Sequence, residues 1–123
     1  MILVDAANVI GSRPTGWWRD RPGAARKFVE QVRAATQSGR LDAPVVVVLE
    51  GKARAGAGAG SGDADGVTVV HAAGSGDDAL VDVVSKATEP VTLVSADRAL
   101  RDRAQALGAH VVGPRWLLDL LEP

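Results

Sequence analysis

Short apolar runs recur along the chain, and stretches of helical periodicity separate them. Ile2–Asp5 is apolar and closes on an acid, while Val45–Leu49 is an unbroken β-branched run. A run without alternation suits a strand buried on both faces. Val67–His71, Val91–Ser95 and His110–Val112 read as three further strands. Behind Pro22, which suits a first helical turn, Phe28, Val29, Val32 and Ala35 recur at helical spacing, and Gly39 lies just beyond. Leu80, Val83, Val84 and Ala87 mark one face of a helix over Asp77–Ala87. Arg98–Leu107 reads as a helix ended by Gly108, and Pro114 opens a last one carrying Trp116, Leu117 and Leu120. Asn8–Arg21, with Gly11, Pro14 and Gly16, is loop-like. Gly51–Gly66, with its AGAGAGSG tract, reads as a flexible loop and not as a linker between domains.

Strands that alternate with helices and lack hairpin turns predict an α/β domain with a single doubly wound parallel sheet of about five strands. The 123 residues provide one core, so residues 1–123 are expected to form one domain. Crossovers in such a sheet are right-handed, which gathers the loops after the strand carboxyl ends at one edge. Ligands bind at that edge, where strand order reverses.

Composition removes several classes of function. Apolar residues make up 46% of the chain, but no run approaches the roughly 18 that a membrane span needs. The N-terminus has no basic n-region followed by an h-region, so a cytoplasmic protein without a membrane partner is expected. There is no cysteine, which excludes disulfides and thiolate metal sites. The net charge of −1 hides an asymmetry: Met1–Arg40 holds seven Lys and Arg against three acids, and the remainder is acidic.

The acids fall where the topology makes them useful. Asp5 ends the first strand and Glu50 the second, Asp97 follows the fourth, and Asp77 and Asp78 open the helix after the third. Carboxylates brought to one edge repel one another and shift each other's pKa. A hard divalent cation, Mg²⁺ or Mn²⁺, relieves that repulsion. It also activates water and stabilises a phosphodiester under attack. Structural duties compete with this reading. Asp97 is well placed to cap its helix. Ser75-Gly76-Asp77-Asp78 fits a capping box, with Ser75 as N-cap. Helical spacing sets Asp77 beside the buried face and turns Asp78 away, so Asp77 is the metal candidate and Asp78 a capping or outer residue. Asp102 faces solvent by the same count. Asn8 either makes an Asx-turn or orients a metal-bound water or a phosphate.

These residues resemble a known pattern. Asp5-Ala6-Ala7-Asn8-Val9-Ile10-Gly11 is similar to the D-x-x-N-[VL]-[IL]-G opening of NYN domains in the PIN-like ribonuclease superfamily, and most like the bacterial YacP-like type. Ser75–Val81 resembles the T-A-D-x-x-I-x element of that family, Val94–Arg101 its [TS]-x-D-x-x-[LI]-R element, and Gly108–Pro114 its G-A-x-V-x-x-P close. The resemblance implies a PIN-like fold with parallel-strand order 3-2-1-4-5 and Mg²⁺- or Mn²⁺-dependent endoribonuclease chemistry. It puts Asp5, Asp77 and Asp97 in metal-binding positions with Asn8 close by. Glu50, Asp78, Ser95 and Asp102 stand apart from that carry-over, as candidates to surround the metal-binding residues. One departure stands out: Arg101 occupies a place where several NYN ribonucleases carry a further acid.

The segment after Asp5 carries Arg13, Trp17, Trp18, Arg19 and Arg21. Guanidiniums bind phosphates and exposed indoles stack on unpaired bases, which suits single-stranded or loop RNA. Against this, a Trp here can pin the loop to the domain, or meet a second copy of the chain in a homodimer. His71 near a strand end reads as structural. The Gly-rich stretch lacks the Lys-Ser/Thr of a phosphate loop. Haloacid-dehalogenase phosphatases need a second Asp where Ala7 stands. Three functions remain: a metal-dependent endoribonuclease, a catalytically weak RNA-binding module, and a small-nucleotide hydrolase using the same metal.

Overall fold

The computed structural model describes residues 1–13, 16–50, 62–64, 66–74 and 76–122. β1 (Ile2–Asp5) leads into α1 (Ala6–Gly11), a single 3-10 turn (Trp17–Arg19) and α2 (Arg21–Gln37). β2 (Val45–Leu49), β3 (Gly62–Ala64) and β4 (Val67–His71) precede α3 (Gly76–Lys86). β5 (Thr92–Val94), α4 (Arg98–Ala106), β6 (His110–Val112) and α5 (Pro114–Leu121) complete the chain.

Five strands form the expected parallel sheet, in the spatial order β4-β2-β1-β5-β6. Counted among the parallel strands alone, that order is 3-2-1-4-5. A sixth strand departs from expectation: β3 pairs antiparallel with the outer side of β4. Part of the glycine-rich stretch is therefore a hairpin arm, with Gly66 at φ +80° in its turn. A short strand of small residues satisfies the backbone of what would otherwise be an open edge. The rest of the expected loop, 51–61 and 65, lies outside the described residues.

Both faces of the sheet are covered, which explains the unbroken Val run of β2. Val45, Val47 and Leu49 pack with Val4 and Val94 under α1, α2 and α5. Val46 and Val48 pack with Leu3 and Leu93 under α3 and α4. Side chains alternate across the sheet, so successive residues of one strand serve opposite layers. On α5 the buried face is Leu117, Leu118 and Leu121; Trp116 is turned outward and Leu120 is half-buried.

Sequence pattern also misread the segment after β1. Ala6–Gly11 is helical rather than loop-like, because Ala6, Val9 and Ile10 bury one side and Asp5 caps the first turn. Asp20 caps α2 by accepting from the Gly23 N–H at 3.0 Å, with Pro22 in the first turn.

Candidate functional site

Strand order reverses between β1 and β5, and the carboxyl ends of these neighbours frame a crevice. The pleat that sends Leu3 toward α3 and α4 sends Asp5 the same way. Asp5 is only 8% exposed. Its Oδ2 accepts from the Ser95 hydroxyl at 2.9 Å, and its Oδ1 from the Asn8 N–H at 3.4 Å. Those bonds do not offset the loss of water. Burial pushes the carboxyl up to about 6, with Asp77 and Glu50 adding repulsion and the two hydrogen bonds pulling the other way.

Ser95 is fully buried and spans the crevice. Its hydroxyl donates to Asp5 and accepts the Asp97 N–H at 3.1 Å, so one oxygen joins the two acid-bearing corners. A second stitch runs alongside: the Asn8 Oδ1 accepts the Ala96 N–H at 2.8 Å. The Asn8 side chain therefore reaches across to the β5–α4 corner, and its own N–H makes the local turn with Asp5. Asp97 caps α4 through Oδ1, which accepts from the Leu100 N–H at 3.1 Å. Capping uses one of its oxygens and sets the half-buried carboxylate at the strand edge.

Asp77 lies half-buried in the first turn of α3. Desolvation raises its pKa, and Asp97 and Glu50 raise it further. Glu50 has a structural duty there, since its Oε2 accepts the Gly76 N–H at the start of α3. A Cβ on residue 76 would collide with that carboxylate, so glycine lets Glu50 approach the helix start and a larger residue would push its carboxylate aside. The expected N-cap, Ser75, lies outside the described residues. Asp78 is exposed and pairs with Arg103 of α4 at 3.1 Å, so it bridges two helices; its expected part in a capping box depends on Ser75 and so rests outside the described residues. Asp102 faces solvent on α4.

The fold thus brings Asp5, Glu50 and Asp97 within electrostatic reach of Asp77, and Glu50 within reach of Asp5. Among the described residues, however, no three Asp, Glu or His side chains are spaced as a ready set of ligands for one ion. Sequence reasoning missed the Glu50–Gly76 contact and the Ala96 N–H. The only local sign of the first is a glycine directly before two acids at a helix start.

The basic segment divides. Arg13 is turned inward: its Nη1 donates to Gln31 at 3.1 Å, and Nη2 lies 3.5 Å from Glu122. That placement turns most of the guanidinium away from solvent, with Nε and Nη2 buried and without a hydrogen-bond partner among the described residues. Trp18 is 55% exposed, with the Arg19 guanidinium 5.9 Å from its ring centroid. Arg19 and Arg21 are exposed, and the Trp17 side chain lies outside the described part of the structure.

No family model and no curated protein matches this sequence. Solved structures do resemble the fold. Rae1 (YacP) from Bacillus subtilis superposes with a TM-score of 0.71 at 19% identity, covering 99% of this chain and 73% of its own. A mutant of the same protein gives 0.72 at 18% identity, over 98% and 74%. The chain therefore has a YacP-like fold.

Proposed function

We propose that this protein is a metal-dependent endoribonuclease acting on single-stranded or loop RNA. The observation that carries the reading is Asp5, a carboxyl buried at the switch point of the sheet and facing Asp77 and Glu50. Mutually repelling acids buried at a ligand edge cost stability unless a cation or a proton compensates them, and such perturbed groups cluster at functional sites. The donors are all oxygen, which suits Mg²⁺ or Mn²⁺ over softer metals. Mg²⁺ keeps several of its waters, so Asp5, Asp77 and Asp97 would hold it partly through water, in keeping with carboxylates near but not touching one another. When bound, the ion would supply an activated water and positive charge at the phosphate.

The protein's own groups prepare that chemistry. Ser95 fixes the orientation of Asp5 and the position of Asp97 together. Asn8 spends its amide oxygen on Ala96, which leaves the amide N–H₂ as a donor for a phosphate oxygen. Trp18 and Arg19 offer an indole and a guanidinium for an unpaired base and its phosphate. The resemblance of four sequence elements to NYN domains and the YacP-like fold favour the same reading.

The test is cleavage of a structured RNA with and without Mn²⁺, comparing the wild type with Asp5→Asn. The expected outcome is Mn²⁺-dependent cleavage that Asp5→Asn lowers by about a hundredfold or more. Mn²⁺ should also raise the melting temperature of the wild type and not of the variant. Cleavage that survives in Asp5→Asn, or an equal thermal shift in both proteins, overturns the reading. A second reading, an RNA-binding module of little activity, is favoured by the lack of a ready three-ligand set among the described residues. It predicts tight RNA binding without turnover. Competition by a nucleoside triphosphate would point instead to hydrolysis of small nucleotides.

A further inference from the structure

A strand of RNA cannot rest on carboxylates alone, and the loop that looked most basic has its innermost arginine committed elsewhere. Next to the crevice, α4 presents a polar groove of about 240 Å³ lined by Ala96, Arg98, Arg101, Asp102 and Gln105. We propose that this groove binds a backbone phosphate of an RNA strand lying across the carboxylate site, a subsite that rests on the RNA reading above. The four α4 residues stand at i, i+3, i+4 and i+7, one stripe of the helix. Leu100 and Ala104 are buried on its opposite side.

Position ties the groove to the site. Ala96 belongs to both: it lines the groove, its N–H is held by Asn8, and Asp97 follows it. Ion pairing separates these arginines from others in the fold. Arg103 pairs with Asp78, Arg115 with Asp119, and Arg13 with Glu122. Arg98 and Arg101 make no ion pair and no side-chain hydrogen bond among the described residues. Arg98 is exposed and Arg101 half-exposed, so neither is held by packing alone. Two unpaired guanidiniums three residues apart form a forked donor set matched to phosphate oxygens. Asp102 opposes them and leaves the groove one positive charge in excess. The groove is thus a modest subsite that assists binding and does not dominate it.

The probe is a fluorescein-labelled oligouridylate, titrated by anisotropy in EDTA so that neither cleavage nor metal contributes. Arg98→Ala with Arg101→Ala should raise Kd roughly tenfold at low salt and flatten the salt dependence, by about 0.7 in slope for each phosphate no longer neutralised. Asp102→Ala should lower Kd, an effect of opposite sign that damage to the fold does not produce. The double variant should keep the Mn²⁺-dependent thermal shift of the wild type. Unchanged Kd and salt slope in a folded double variant overturn the subsite, as does an Asp102→Ala protein that binds no tighter. Weakened binding in the double variant, alongside a wild type that never cleaves RNA, sustains the groove and defeats the nuclease reading. Wild-type binding in the double variant, with Mn²⁺-dependent cleavage intact, does the reverse.

Discussion

Asp5 places a cost on the metal-free protein that can be read without substrate. Its carboxyl is raised from 3.8 to about 6 in the folded state. Between those values the folded chain binds more protons than the unfolded one, so this group lowers stability as pH rises. The contribution is absent below about pH 4 and complete above about pH 6, where it amounts to roughly 3 kcal/mol. Asp5→Asn should therefore be more stable than the wild type at pH 7 in EDTA, with a flatter pH dependence between 4 and 6. Denaturant unfolding across that range checks it, and a variant less stable at neutral pH would show that Asp5 supports the fold as an anion. The same protonation predicts that Mn²⁺ binding to the wild type weakens as pH falls through about 6. Ser95 is the neighbour whose loss should act at both corners: Ser95→Ala leaves the buried Asp5 oxygen and the Asp97 N–H without their shared partner, at about 1–3 kcal/mol.

At the scale of elements, the junction of β2 and α3 decides where Asp77 stands. Glu50 brings an anion to the first N–H of α3, where the helix dipole favours one. Gly76 permits that approach because no Cβ intervenes. Gly76→Ala should lower the melting temperature by forcing the carboxylate out. In a Glu50→Ala background the same substitution should cost much less, since no carboxylate is left there to displace. Additive effects in that cycle would mean that residue 76 acts through its backbone alone. Glu50→Gln should restore most of the stability, because a side-chain amide oxygen still accepts the bond.

Across the molecule, exposed cations gather at two places, Trp18 with Arg19 and the α4 groove, and Ala96 ties the second of these to the acidic crevice. Because Trp18 is 55% exposed, Trp18→Ala should cost about 1 kcal/mol of stability or less. It should nevertheless weaken binding of a single-stranded oligonucleotide by roughly 1–3 kcal/mol, the usual worth of a base stacked on an aromatic ring. A large drop in melting temperature would make Trp18 a packing residue. No described helix is long and apolar enough to cross a membrane.

The parallel sheet was legible because period and spacing are local: a Val run buried on both sides and right-handed crossovers gather the strand-end acids Asp5, Asp77 and Asp97 at one edge. The full strand order 3-2-1-4-5 came from the resemblance to NYN domains and not from periodicity. The short helix after Asp5 was hidden by Asn8, Gly11 and Pro14, which read as loop until the burial of Ala6, Val9 and Ile10 overrides propensity. β3 was hidden by glycine and alanine, although Asp65-Gly66 is a hairpin signature in the sequence itself. What only the tertiary structure decided is pairing between residues far apart in the chain. Ser95 meets Asp5 across 90 positions, Asn8 meets Ala96 across 88, and Glu50 meets Gly76 across 26. The same holds for the arginines: Arg13 turns inward because Gln31 and Glu122 are there to receive it, while Arg98 and Arg101 are left to solvent. A sequence specifies which side chains carry charge and which face of an element each occupies. Whether a charge is satisfied or available depends on what the fold sets against it, and that is a property of distance in space, not along the chain.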